Sequence, residues 1–190
     1  MSQTTTDRVR WTTKDIELLA NSNEGTRYEI VDGELFVTKA PHWTHQTTCG
    51  NICFELEHWS RDKGLGRATI NPGIIFTDSD NVIPDIAWAS NERLAVLLDD
   101  AGPLTGAPEL VVEVLSPGAE QERRDREAKL KLYSLRGVQE YWIVDWRLET
   151  VEIYRRENAA LVLVATLTSE NELISPLLPD FACTVGRFFE

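Results

Sequence analysis

Two acidic residues lie inside apolar runs of the chain: Asp85 in NVIPDIAW and Glu113 in ELVVEVL. An ionised carboxylate loses much of its hydration when buried, so an acid in such a run needs an ion pair, hydrogen bonds or a bound cation. Pro84 adds to the case for Asp85. Proline cannot donate to a strand ladder, so Pro84-Asp85 suits a strand start, edge or bulge from which an acid can project into a cleft. The alternative for each acid is a solvated place on a half-exposed strand. Downstream, Asp125, Lys129 and Tyr133 follow at i, i+4 and i+8 along one helical stripe. A lysine at the border of an apolar stripe can reach over a sheet edge toward strand carboxylates. The same spacing also describes an ordinary surface pair, worth only about 0.3–0.5 kcal/mol.

Several elements must position these groups. Thr12 and Thr13 precede KDIELLANS and open a short helix with a hydroxyl cap signal. YEIV-DG-ELFV reads as a hairpin, because Asp32-Gly33 tolerates the positive φ angles of a type I′ turn. Residues 43–63 form a long helix whose inward face carries Cys49, Ile52, Cys53, Leu56 and Trp59 at spacings of three and four. Strands are predicted at 67–71, 73–77 and 82–88, with a polar turn at 77–81, and a short helix at 91–98. Residues 103–108 read as loop. ELVVEVL has the near-continuous apolar character of a central strand covered on both faces. Residues 119–136 are helical, with Gln121, Ala128, Leu132 and Leu135 on the apolar stripe and Gly137 as the stop. VQEYWIVDW, TVEIYRR and LVLVATL are further strands. This mixture indicates a mixed α/β fold rather than a regular βαβ repeat.

Composition bounds the rest. The chain has 190 residues, 42% of them hydrophobic. That is enough for a substantial core and suggests one domain over 1–190. No run has the length of a membrane span, and the polar start lacks the apolar stretch of a secretory signal, so a cytoplasmic protein is expected. Three cysteines, two of them on one helical face, suit reduced thiols better than disulfides. With 19 Lys+Arg against 31 Asp+Glu the net charge is −12, the wrong sign for loose binding to phosphate backbones. Nucleic-acid binding would require a local basic surface, a divalent cation, or a homo-oligomer that gathers positive charge in one groove.

Taken in order, Pro84-Asp85, Glu113-Val114-Leu115-Ser116-Pro117, Asp125 to Lys129-Leu130 to Tyr133, and Gly137-Val138-Gln139-Glu140-Tyr141-Trp142-Ile143-Val144-Asp145 resemble the Uma-two family of restriction-type endonucleases, within the PD-(D/E)XK nuclease superfamily. The likeness extends to Tyr28-Glu29-Ile30-Val31-Asp32-Gly33-Glu34 and Ser175-Pro176-Leu177-Leu178, and so covers nearly the whole chain. The resemblance implies a restriction-endonuclease-like three-layer core, a mixed sheet flanked by helices with extra hairpins. It also implies Mg2+- or Mn2+-dependent hydrolysis of DNA phosphodiesters. Asp85, Glu113 and the Val114 carbonyl would hold the metal, and Glu29 becomes a further acid of the site. The superfamily's lysine normally stands two residues after the glutamate, where this chain has Leu115. The family likeness shifts that role to Lys129, with Lys131 as the competitor on the other side of the stripe.

His45 lies one turn before Cys49 on the inward face of its helix, and is expected at the rim of the metal cleft or, alternatively, as a satisfied core histidine. His45, Cys49 and Cys53 also share the i, i+4, i+8 spacing of a zinc site, which would make the protein a zinc hydrolase. Trp43, Trp59, Trp88, Trp142 and Trp146 could stack on bases, but most fit packing better. A third reading is a non-catalytic binding or assembly protein on a nuclease fold, which the acidity favours.

Overall fold

A computed structural model describes residues 9–20 and 26–190. Residues 1–8 and the Asn21-Ser22 end of the first predicted helix lie outside the described residues. The elements are α1 (Thr13–Ala20), β1 (Arg27–Val31), β2 (Glu34–Thr38), α2 (Trp43–Lys63), β3 (Gly66–Ile70), β4 (Ile74–Thr77), β5 (Asp80–Val82), β6 (Ile86–Ser90), α3 (Asn91–Leu97) and β7 (Leu110–Val114). A continuous helical stretch follows as α4 (Ala119–Arg123), a π-helical turn (Arg124–Lys129) and α5 (Leu130–Arg136). Then come β8 (Glu140–Asp145), β9 (Thr150–Glu157), β10 (Ala160–Thr168), β11 (Glu172–Ser175), β12 (Leu178–Thr184) and a 3-10 turn (Val185–Phe188).

The fold is mixed α/β around a six-stranded sheet of order β10-β9-β8-β7-β6-β3. Only β7 and β8 pair in parallel, and the α4–π–α5 stretch is their crossover. All five residues of β7 and all six of β8 are buried, because helices and strands cover both faces. Leu110, Val112, Val114, Trp142 and Val144 face α2 and the β11-β12 hairpin. Val111, Leu115, Tyr141 and Ile143 face α5 and a second sheet of order β2-β1-β5-β4. Three layers result, with Glu113 on the α5 side of the central strand.

Local chemistry fixes the boundaries. Asp32 and Gly33 take φ of 50° and 76° in the β1-β2 turn, as a type I′ hairpin requires. The His42 ring nitrogen Nδ1 accepts from the Thr44 N–H to cap α2, and Gly64 closes it in the left-handed region. Among the described residues no helix is long and apolar enough to cross a membrane.

Four sequence expectations need correction. The run 82–88 is not one strand: β5 ends at Val82 and β6 begins at Ile86, because Pro84 cannot continue a ladder. The 119–136 helix is interrupted by the π turn. Its inward stripe is Arg124, Asp125, Lys129, Leu132 and Tyr133, while Leu135 is 72% exposed. The β11-β12 hairpin was not anticipated; Leu173, Leu178 and Phe181 from it fill the α2-side core.

Candidate active site

Strand register brings the two acids together. Ile86 pairs with Val112 in the antiparallel β6-β7 ladder. Asp85 and Glu113 are the next residues of their chains beyond that pair, so both acids lie at the end of the ladder, where the charge of Asp85 reaches Glu113. Both are buried, Asp85 to 4% and Glu113 to 1% exposure, so neither is a solvated strand acid.

On the α5 side, Lys129 Nζ donates to Glu113 Oε1 at 2.8 Å and lies 2.8 Å from Glu29 Oε1 and 3.9 Å from Asp125 Oδ1. Tyr133 Oη donates to the same Glu113 oxygen at 2.9 Å. Arg124 grips Asp125 through Nε at 2.8 Å, donates to Thr38 Oγ1 at 2.9 Å and reaches Glu29 Oε2 at 3.6 Å. The Ile83 N–H also donates to Glu29. The helix achieves this through its π turn. At 3.6 residues per turn, positions four apart drift by about 40° per step, so 125, 129 and 133 would spiral away from one another. A wider turn with i→i+5 bonding takes up that drift and keeps all three aimed at the sheet. Lys131 is exposed on the other side of the helix.

On the α2 side, Asp85 Oδ2 accepts from the Val114 N–H at 2.9 Å, and Oδ1 meets Arg27 at 3.3 Å. His45 Nε2 donates to the Val114 carbonyl at 2.8 Å and stands 3.4 Å from Asp85 Oδ2. His45 is therefore at the site, buried to 4%. An open cavity of about 120 Å³ sits against these groups, with Arg27, Lys39, His45, Asp85, Ser116 and Arg124 in its wall. Glu113 and Lys129 do not line it, being sealed at 1% and 0% exposure.

The electrostatics follow from the burial of four carboxylates together with Arg27, His45, Arg124 and Lys129. Burial pushes the Glu113 carboxyl up to about 8; Lys129 opposes this, but Asp125, Asp85 and Glu29 add to it. Burial likewise tends to raise Asp85, yet hydrogen bonding and charge from His45, with the Val114 N–H, hold it down to about 2. Burial tends to lower Lys129 but Glu113 and Glu29 raise it, so its ammonium stays charged. For His45, burial is outweighed by the bond to and charge of Asp85, which raise its pKa.

These residues suit a hard divalent cation. The Asp85 and Glu113 carboxylates and the Val114 carbonyl are oxygen donors of the kind Mg2+ and Mn2+ prefer. Two of the three already converge on one point, since Asp85 Oδ2 and the Val114 oxygen both contact His45 Nε2. The zinc alternative is changed in its membership. The structure gathers His45, Cys49 and Asp85, whereas Cys53 packs against the α2-side core. The His45 ring turns Nδ1 to the Cys49 sulfur at 3.5 Å and Nε2 to Asp85 Oδ2 at 3.4 Å. Burial and the nearby acids push the Cys49 thiol well up, away from the thiolate that zinc needs.

Sequence reasoning passed over Arg27 and Arg124. Arg27 carried a usable signal, since it stands two residues before Glu29 and shares its strand face. Arg124 did not, because it falls at the edge of the stripe read through Gln121, Ala128, Leu132 and Leu135, and an arginine there reads as a solvated residue. Of the tryptophans, Trp59, Trp88 and Trp142 are core, whereas Trp43 is 85% exposed.

The profile of a family described as "Uma2: Putative restriction endonuclease" matches residues 13–186 of the chain. No curated protein matches it. Among solved structures, a crystal structure described as a "putative nuclease belonging to DUF820" from Anabaena variabilis shares the fold. Its TM-score is 0.71 at 17% identity, with 92% of this chain and 96% of that chain covered.

Proposed function

The chain belongs to the Uma2 family, and on that premise we propose that it is a single-domain endonuclease, over residues 1–190, that hydrolyses DNA phosphodiester bonds with Mg2+ or Mn2+. The observation that carries this reading is the Lys129 ammonium at 2.8 Å from Glu113, at the end of the β6-β7 ladder that also carries Asp85. A carboxylate pair with an adjacent lysine is the equipment of metal-assisted phosphodiester hydrolysis, and here the lysine arrives from the following helix.

Asp85, Glu113 and the Val114 carbonyl are the residues that would hold the metal. When bound, it neutralises phosphate charge and lowers the pKa of a water from about 15.7 toward neutrality. Lys129, sealed behind the acid, holds Glu113 in place and adds fixed positive charge to the field of the site. Glu29, Asp125 and Tyr133 fix Lys129 and Glu113 in turn. His45 and Arg27 orient Asp85, and Arg124 ties Asp125 to the cavity wall. Lys131, exposed and remote from the acids, has no part.

Cleavage of mixed DNA with Mg2+ or Mn2+ tests the proposal, alongside Asp85→Asn and Glu113→Gln variants and Mn2+ titration by calorimetry. The expected result is metal-dependent cleavage that both variants abolish, with weakened Mn2+ binding and an intact fold. Unchanged Mn2+ affinity in both variants would remove the shared metal site. A second reading has support in the same geometry, since protein groups already satisfy Glu113 and the Val114 carbonyl and the chain carries −12. A nuclease fold that binds without turnover would show nucleic-acid binding but no cleavage with any divalent metal.

A further inference from the structure

We propose that the cavity beside Asp85 and the aromatic rim next to it form a subsite for one nucleotide of a single DNA strand. Lys39 holds the phosphate and Trp43 stacks on the base. This rests on the nucleic-acid reading above and narrows it to one form of the polymer.

Three cations reach the cavity wall, but they are not equally free. Arg27 is held by Asp85 and the Ile83 carbonyl, and Arg124 by Asp125 and Thr38. Lys39 is exposed and, among the described residues, makes no ion pair. It is the cation with charge to spare for an anion entering beside Asp85. Ser116 stands across the cavity as a hydroxyl donor.

The rim is aromatic. Pro41 lines the cavity, and His42 and Trp43 follow it directly. The His42 ring stacks on Trp146 with centroids 5.0 Å apart and planes 10° from parallel. Trp146 Nε1 donates to the Leu115 carbonyl at 3.1 Å, one residue before cavity-lining Ser116. The stack therefore bridges the two edges of the cavity, and Trp43 stands beside it at 85% exposure. Singly exposed apolar residues are ordinary. An exposed indole four residues along the chain from an unpaired lysine, and next to the His42 ring that stacks on Trp146, has with that cavity the parts of a single-strand platform: positive charge for the backbone and a ring for the base.

Strand form follows from space and charge. A cavity of about 120 Å³ admits a phosphodiester but not a base pair. A base must also be unpaired before an indole can stack on its face. Duplex DNA carries one charge per about 1.7 Å of axis against about 3.4 Å per strand, so a chain of charge −12 repels a duplex more strongly.

The test titrates the full chain, in chelator to prevent cleavage, with short oligothymidylate, with its duplex on oligodeoxyadenylate, and with oligouridylate, reading tryptophan fluorescence. Oligothymidylate should bind tighter than the duplex and quench the signal. Trp43→Ala should weaken it by about tenfold or more, since stacking contributes roughly 1–3 kcal/mol per base and 1.4 kcal/mol is tenfold. Trp43→Phe should keep most of the affinity. Lys39→Ala should flatten the plot of log affinity against log salt by about 0.7, the single-strand slope for one phosphate contact, while Lys131→Ala should not. Because both side chains are exposed, circular dichroism should show unchanged folds. Equal or tighter duplex binding, or a Trp43→Ala variant with unchanged affinity, overturns this inference and leaves the nuclease reading standing if duplex is cleaved. Tighter binding of oligouridylate overturns the assignment to DNA. Failure to bind all three overturns this inference, and the cleavage assay with Mg2+ or Mn2+ then decides the nuclease reading by itself.

Discussion

The Lys129 ammonium is enclosed by Glu29, Glu113 and Asp125 with no access to water. Removing one member of a buried ion cluster leaves uncompensated charge, so Lys129→Met should lower stability by roughly 3–5 kcal/mol in urea unfolding. Adding Glu113→Gln should restore part of the loss, whereas equal losses in the single and double variants would show that the two groups are not coupled. A plain Lys129→Ala cleavage assay therefore needs a folding control beside it. Glu113 adds a pH dependence. Its folded pKa of about 8 lies above the ordinary glutamate value of 4.5, so the folded state holds a proton that the unfolded chain releases. The stability this contributes is full below pH 4.5 and is lost as pH rises toward 8, by at most about 1.4 kcal/mol per pH unit. In metal-free protein Glu113→Gln should flatten the decline in melting temperature between pH 5 and 8.5; an unaltered profile would mean that Glu113 is ionised throughout. Asp85 behaves oppositely. Held at about 2 against an ordinary 3.8, it stabilises above pH 3.8 and ceases to do so as pH falls through 2.

At the scale of elements, the π turn Arg124–Lys129 converts a helix with an ordinary amphipathic pattern into one that buries three charges. Deleting Glu127, whose side chain is exposed, should restore regular α-helical winding and rotate Lys129 and Tyr133 off Glu113. The expected cost is on the order of 3 kcal/mol with loss of cleavage, while Glu127→Ala should stay within about 0.5 kcal/mol. Calorimetric melting separates the two, and a deletion variant as stable as the parent would show that the winding is not what places the lysine. This element was the least legible in sequence. The spacing of 125, 129 and 133 was visible, but α-helical periodicity made them the flank of an apolar stripe through Leu135. The hairpin at Asp32-Gly33, the α2 span and the apolar β7 run were readable because each rests on local rules: a turn dipeptide, a 3.6-residue period, a strand buried on both faces. The β11-β12 hairpin has no such signature, being held by contacts to α2 and β8 far away in sequence.

Across the whole molecule, the two faces of the six-stranded sheet divide the labour. The α5 face carries the ion cluster, and the α2 face carries an aromatic core in which Phe181 packs edge-on to Trp59 and beside Trp142 at centroid separations of 5.9 and 6.2 Å. Phe181→Ala should cost roughly 3–5 kcal/mol through the cavity it leaves. Mn2+ affinity should nonetheless be unchanged in the folded protein, because the residues proposed to hold the metal do not rest on that ring; weakened affinity at a temperature where the variant is folded would contradict this division. The family likeness, the mixed α/β class and the identity of Asp85, Glu113 and Lys129 as the residues to watch were all available from the sequence, because acids within apolar runs announce an unmet electrostatic need. Which groups meet that need was decided only by the tertiary structure. Glu29 and Arg124 lie nearly a hundred residues apart, and strand register and a π turn bring them to 3.6 Å of each other in the cluster around Lys129. Those arise from packing between distant elements, which local spacing does not encode.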